Sequence, residues 1–247
     1  LKRGPQWEQE AREGLSEAKW RKEYLIDYTA LYGEKVFPEI ITGRSNIVVE
    51  PFEIPKGQPC WAGLDYGARN PTSIHIYTEI DGCWYAVWEL YKPCENIPAL
   101  VAELQQCPYW GQVKWVAADP SIFARNQQRY DGVPTSVAAM MQEAGVYNLI
   151  AGVNDEGAWI AKMRDLWKDP ADPRFKIMKT CPAMINEFSE AVYTTPTQRM
   201  EAAFTYREDI ADFNNHALDD CKYHFNSKPT YQHKPIKWPK MVDRWKN

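Results

Sequence analysis

The residues with the most chemical promise are acids that stand where apolar segments end. Asp65 closes the run Trp61-Ala62-Gly63-Leu64-Asp65, and Asp119 closes Val116-Ala117-Ala118-Asp119 ahead of Pro120. A carboxylate at the tip of an apolar strand is partly desolvated, so it is costly as a bare anion unless paired, protonated or bound to a cation. Each taken alone also fits a plain turn cap, Asp119 before Pro120 above all. A third acidic element comes late, in Asn214-Asn215-His216-Ala217-Leu218-Asp219-Asp220-Cys221-Lys222-Tyr223. At 100° per residue His216, Asp219, Asp220 and Tyr223 share one helix face and Leu218, Cys221 and Phe225 the other, which gives both carboxylates a direction. Acids in the first turns of a helix also offset its dipole, so this element alone has a bland explanation too. Several gathered carboxylates repel one another unless divalent cations neutralise them. Ligands that offer only oxygen suit Mg²⁺ or Mn²⁺ rather than Zn²⁺.

Of the four histidines only His216 is placed to matter, as an outer donor or ligand to such a site or as a helix cap. His75 reads as a packed strand residue, and His224 and His233 have no partner at a useful spacing. Other chemistries lack their signatures. No glycine is followed by lysine, so the phosphate loop of ATPases is absent, and there is no Gly-x-Ser-x-Gly elbow or Gly-x-Gly-x-x-Gly turn. The six cysteines include no Cys-x-x-Cys pair and are too sparse for a disulfide framework, which points to a reducing cytosol.

These acids need elements to hold them. A chain of 247 residues, 45% apolar and 25% charged, suits one principal core with an appendage and excludes a rod, a collagen or a disordered body. No apolar run approaches the roughly 18 to 20 residues of a membrane helix, and the start has no signal-peptide pattern, so a soluble, unexported protein is expected. The start at Leu1 rather than Met suggests a piece of something longer. Net charge is −4, but residues 226–247 carry a local +5 that leaves −9 on the rest, so any nucleic-acid contact must be local.

Residues 6–31 read as an amphipathic helix or helix pair, with Trp20, Tyr24, Tyr28 and Leu31 near a helical period. Gly33, Pro38, Gly43, Pro51, Pro55, Gly57 and Pro59 then punctuate what reads as a linker laid over a surface. Strands are expected at 61–65, 72–80 and 83–91, the last two joined by the turn Asp81-Gly82, as an antiparallel meander. Asn96 caps a helix, a strand follows at 113–118, a helix at 135–144 and a short strand at 146–151. A helix at 155–168, a strand at 175–178, a helix at 183–193, a strand at 199–206 and a helix at 215–225 complete the order. Trp84, Trp88, Trp115, Trp159 and Trp167 read mostly as core. A meander followed by alternating helices and strands implies an α/β fold, a mixed sheet covered by helices on both faces. The resulting division is an appendage over 1–57, a main domain over 58–227 and a basic Pro- and Lys-rich tail over 228–247.

An acid on the first strand, an acid after the fourth and an acid on a late helix of such a sheet resemble the ribonuclease H-like nucleases. Within them the pattern is most similar to the nuclease domain of the large terminase subunit of tailed bacteriophages. The segments that carry this are Gly63-Leu64-Asp65-Tyr66-Gly67, Ala118-Asp119-Pro120-Ser121 and Asn215-His216-Ala217-Leu218-Asp219-Asp220-Cys221-Lys222-Tyr223. The last resembles the family's His-Ala-x-Asp-Ala-x-Arg-Tyr pattern. Trp20-Arg21-Lys22-Glu23-Tyr24-Leu25 with Val36-Phe37-Pro38 resembles the segment by which these proteins leave their ATPase domain. Two departures stand out: Asp220 where the family usually has Ala, and Lys222 where it has Arg. Asp219, Asp220 or both are therefore open as the second metal's ligand.

The resemblance implies a ribonuclease H-like sheet and two-metal hydrolysis of double-stranded DNA with two Mg²⁺ or Mn²⁺ ions. Asp65 would bridge, with Asp119 on one side and Asp219 or Asp220 on the other. It further implies 5′ phosphate and 3′ hydroxyl ends, a role in cutting concatemeric viral DNA, an ATPase domain in the same full-length protein, and portal and small terminase subunits as partners, in the host bacterial cytoplasm without a membrane. Arg69, Arg125 and Arg129 lie on segments adjoining the acids and are candidate phosphate contacts, with Lys162 and Lys222 as second choices. For each of them an ordinary solvated charge is the competing explanation. The basic tail could touch DNA, the portal or the motor domain, or simply solubilise. Two other functions stay open: a non-catalytic module that docks DNA or the portal, and a resolvase-type or RNA-cleaving nuclease on the same fold.

Overall fold

A computed structural model describes Trp7, Arg12, Trp20, Arg21, Tyr24, and residues 34–94, 96–125, 127–128, 134–194, 210–212 and 214–227. Its centre is a seven-stranded mixed sheet in the order β1-β9-β4-β3-β2-β5-β8. Here β1 is Val48–Val49, β2 Cys60–Asp65, β3 Pro71–Ile80, β4 Cys83–Pro93, β5 Val113–Ala118, β8 Leu149–Ala151 and β9 Phe175–Met178. Gln127–Gln128 (β6) and Pro134–Thr135 (β7) form a separate two-stranded ribbon. β3 runs antiparallel to β2 and β4, while β2/β5, β5/β8, β4/β9 and β9/β1 are parallel. The β3–β4 turn has both Asp81 and Gly82 at positive φ, the backbone twist that lets a two-residue hairpin close.

Alternation along the strands divides the core into two layers. Cys60, Ala62, Leu64, Ile74 and Ile76 pack under α3 (Ile97–Leu104) and α4 (Val137–Glu143). The opposite face, with Tyr77, Phe175 and Ile177, is covered by α5 (Glu156–Leu166), α6 (Pro182–Glu190) and α7 (His216–Asn226). Trp159 and Trp167 are fully buried there, whereas Trp84, Trp88 and Trp115 are only half-buried. Asn96, Ser136 and Asp155 each accept the backbone N–H three residues on, so three helices start on side-chain caps.

The expected surface linker is corrected in part. Val36, Phe37, Ile40 and Ile47 lie in the α5/α6 core layer, Ile40 on α1 (Glu39–Thr42) and Ile47 on α2 (Arg44–Ile47), and β1 pairs with β9. Prolines and glycines punctuate this stretch, but the apolar residues between them are enough to be drawn into the core. Trp7, Arg12, Trp20, Arg21 and Tyr24 are helical, with Trp20 stacked on Tyr24 at 4.2 Å between ring centres. The strand expected at 199–206, Arg129, His233 and the tail from 228 onward lie outside the described residues. Among the described residues no helix is long and apolar enough to cross a membrane.

Candidate active site

The two strand-tip acids meet because β2 and β5 are parallel neighbours. Leu64 is paired with Ala118, and the Asp119 N–H donates to the Leu64 carbonyl at 3.2 Å, so Asp65 and Asp119 leave the same end of the sheet side by side. Helix α7 lies across β2, β3 and β5 and brings its first turns over that end. Two glycines permit this approach. A Cβ on Gly63 would stand 2.1 Å from the Asp220 carbonyl oxygen, and one on Gly152 would stand 2.6 Å from the Tyr223 Cβ. Sequence reading missed both, although Gly63 carries a signal, because a glycine inside a strand marks close backbone approach.

The acids have few partners. Asp65 Oδ2 is 2.8 Å from His216 Nδ1, and Lys222 Nζ donates to Asp219 Oδ1 at 2.5 Å. Asp119 spans both readings made of it: Oδ1 accepts the Ser121 N–H at 2.6 Å as a turn cap, and Oδ2 accepts the Tyr223 hydroxyl at 3.0 Å. Burial pushes the Asp65 carboxyl up to about 6; the His216 hydrogen bond opposes this and the Asp219 charge adds to it. Asp219 is also raised, chiefly by burial, against the pull of Lys222 and with repulsion from Asp119. Tyr223 holds its proton well above the ordinary range through burial and the charges of Asp219, Asp119 and Asp65. These mutual effects put Asp65, Asp119 and Asp219 in one electrostatic neighbourhood.

Asp220 adds its charge to Asp65 as well, but its side chain is committed elsewhere. It is fully buried and turned toward β3, where Oδ1 accepts the Tyr77 hydroxyl at 2.8 Å and Oδ2 takes Ser73 Oγ and, at 2.6 Å, His75 Nδ1. His75 is more than a packed strand residue: its Nε2 is 2.8 Å from Glu89 Oε2, so carboxylates sit on both ring nitrogens. Burial opposes its charge, but Asp220 and Glu89 outweigh that and raise it to about 10. His224 is buried against Tyr77 with neither ring nitrogen hydrogen-bonded among the described residues, and burial lowers it to about 3.

The cations divide as well. Arg69 and Arg125 are exposed on the segments that follow Asp65 and Asp119. Lys222 is buried against Asp219 and the Tyr223 ring, which corrects its reading as a phosphate contact. Lys162 donates to the Phe225 carbonyl at the far end of α7 from Asp219, away from the acids. A hard divalent ion fits the donor set of Asp65, Asp119 and Asp219 because it is all oxygen, and Lys222 already places a positive charge at Asp219. Among the described residues, however, no three His, Cys, Asp or Glu side chains stand close enough to hold an ion as they are.

No protein-family model matches the chain, and no curated protein matches it. Solved structures do. The nuclease domain of the phage P22 large terminase superposes with a TM-score of 0.57 at 19% identity, covering 78% of this chain and 92% of that one. The large terminase of a thermophilic bacteriophage, in complex with ADP, gives 0.61 at 18% identity, covering 91% of this chain and 52% of that one, so this chain spans about half its length. The nuclease domain of the bacteriophage SPP1 large terminase with bound Mn gives 0.50 at 17% identity, covering 72% and 93%. The chain thus has the mixed α/β fold of these phage large terminase nuclease domains.

Proposed function

We propose that this chain is a divalent-metal-dependent endonuclease that cleaves double-stranded DNA by a two-metal mechanism, as the packaging nuclease of a phage terminase. The observation that carries it is the meeting of Asp65, Asp119 and Asp219 at one sheet end of a terminase-nuclease fold. Asp65 would be shared by both ions, with Asp119 serving one and Asp219 the other. Bound Mg²⁺ or Mn²⁺ would lower the pKa of a water and offset charge on the departing 3′ oxygen. His216 holds Asp65 by its Oδ2 and Tyr223 holds Asp119 by its Oδ2, so both carboxylates are oriented beforehand. Lys222 supplies a positive charge at Asp219. Arg69 and Arg125 would grip phosphates on either side, giving little sequence preference. In the full-length protein an ATPase domain, the portal and the small terminase subunit are the corresponding partners.

Incubation with supercoiled plasmid and Mn²⁺ should give nicked and linear DNA, and Asp65→Asn should abolish both products. Retained cutting by that variant removes the mechanism. One observation favours the second reading, a module that docks DNA or the portal without cutting it: Asp65 and Asp219 already face His216 and Lys222. That reading requires no cleavage with any divalent ion.

A further inference from the structure

A closed circuit of buried polar contacts holds α7 on the sheet, and it leaves the acids of the candidate site outside it. Asp220 on α7 meets His75 on β3, which meets Glu89 on β4. Glu89 in turn accepts the first free N–H groups of α6, from Ala183 at 3.1 Å and Met184 at 3.0 Å. From α6, Glu187 returns to the start of α7, accepting the Ala217 and Leu218 N–H groups at 2.7 and 3.2 Å and the Tyr91 hydroxyl at 2.7 Å. Each carboxylate stands where a helix start or an imidazole supplies donors, so none is left unsatisfied. Ser73, His75 and Tyr77 alternate on the β3 face that looks at α7, and all three point at Asp220.

We propose that Asp220 and His75 are positioning residues for the metal site: their contact sets the height and rotation of α7 on the sheet, and through it the place of Asp219 and His216 beside Asp65. The inference rests on the nuclease reading of Asp65, Asp119 and Asp219. Asp220 can be buried at this helix position because β3 and β4 place His75, Ser73, Tyr77 and Glu89 to receive it. A small rotation of α7 moves Asp219 directly, since it is the adjacent residue on the same helix.

The test uses the whole chain and Mn²⁺ alone. Calorimetric titration should show His75→Gln and Asp220→Asn binding the wild-type number of ions with Kd weakened about tenfold or more, as loss of an outer-layer partner generally does. Asp219→Asn should instead lose an ion. Amide hydrogen exchange of α7 without metal should quicken in His75→Gln and Asp220→Asn. Trp167→Phe, in the same core layer but hydrogen-bonded to β9, controls for lost stability and should change neither readout once compared at equal distance below Tm. The proposal is overturned if His75→Gln keeps both wild-type Kd and wild-type exchange, or if Asp220→Asn loses an ion as Asp219→Asn does. Failure of the wild-type chain to bind Mn²⁺ would remove the nuclease reading instead, and the exchange comparison would still decide whether the circuit holds α7.

Discussion

Gly63→Ala tests whether the site depends on the depth at which α7 sits. The added Cβ would lie 2.1 Å from the Asp220 carbonyl oxygen, 2.7 Å from its carbonyl carbon and 3.1 Å from its Oδ1. The first two are backbone atoms and cannot swing away. Restoring ordinary contact from 3.4 Å outward requires α7 and β2 to part by about 1.3 Å at this point. Overpacking of that kind costs about 1–3 kcal/mol, which in a domain of this size lowers Tm by roughly 2–12 °C. The effect on catalysis should be larger, because Asp219 is carried by the residue next to the clash while Asp65 is two residues along the strand from it. A misplacement near 1 Å costs on the order of a hundredfold in rate. Plasmid nicking with Mn²⁺, followed over time, should therefore fall about a hundredfold while circular dichroism still reports a folded chain. Gly111→Ala is the control, since nothing lies within 4 Å of its Cβ position and its φ is not positive. Cleavage and Tm both within error of wild type in Gly63→Ala would refute the close-approach argument.

Three other outcomes are expected. Asp65 is raised to about 6, so it gains a proton below that pH and competes with the ion; Mn²⁺ affinity should fall as pH drops through 6, and an affinity flat from pH 7.5 to 5 would contradict the role of Asp65. His75 is raised to about 10 between Asp220 and Glu89, so the native state binds more protons than the unfolded one between pH ~6.5 and 10. Its stabilisation, complete below ~6.5, should be lost as pH rises through 10, on the order of 5 kcal/mol at most; urea midpoints across that window should slope less in His75→Gln, and equal slopes would dismiss the charged imidazole. Arg69→Ala with Arg125→Ala should weaken DNA binding without changing Tm and should lower the salt slope by about 1 to 2, one unit per lost phosphate contact; an unchanged slope would return both side chains to the solvated surface.

Much of this site is legible in sequence because strand alternation is a short-range property. The apolar stretches that end in Asp65 and Asp119 lie in β2 and β5 as their pattern requires, and parallel pairing of those strands puts the acids together. Helical periodicity also finds α7, yet it groups Asp219 with Asp220 when the structure separates them. The face from His216 to Asp220 covers a wide arc, and α7 crosses three strands, so one edge of the arc looks at the strand tips and the other at β3. Only the partners resolve the difference, and Ser73, His75 and Tyr77 carry the available signal: three polar-headed side chains at a spacing of two, alternating with Ile74 and Ile76. Glu187 left no such trace, because its partners are backbone N–H groups at the start of α7, which no side-chain pattern records. The stretch around Val36, Phe37 and Ile40 misled for the opposite reason. Its prolines and glycines mark irregular backbone, and irregular backbone can still be buried when its apolar side chains find a layer to enter.

The two sets of acids differ in how much of their hydrogen-bonding capacity is already used, and that difference explains why one set suits an ion and the other does not. Asp220 takes two partners on Oδ2 and one on Oδ1, and Glu89 takes three donors in all. Burial would raise Glu89, yet His75 and the two backbone N–H groups overcome it and leave the carboxyl below its ordinary range. Asp65 and Asp219 each show one oxygen paired and the other without a hydrogen-bond partner among the described residues; a raised carboxyl is not what sets them apart, since burial also pushes the fully bonded Glu187 up to about 7. The open oxygens of Asp65 and Asp219 reach solvent, where a divalent cation has access and would offset the gathered negative charge. Filling those open oxygens with protein donors would stabilise the fold and close the site, as has happened at Asp220. The chain keeps α7 in place with the satisfied acid and leaves its neighbour unsatisfied, so the helix can be rigid at the residue beside the one that must accept a ligand.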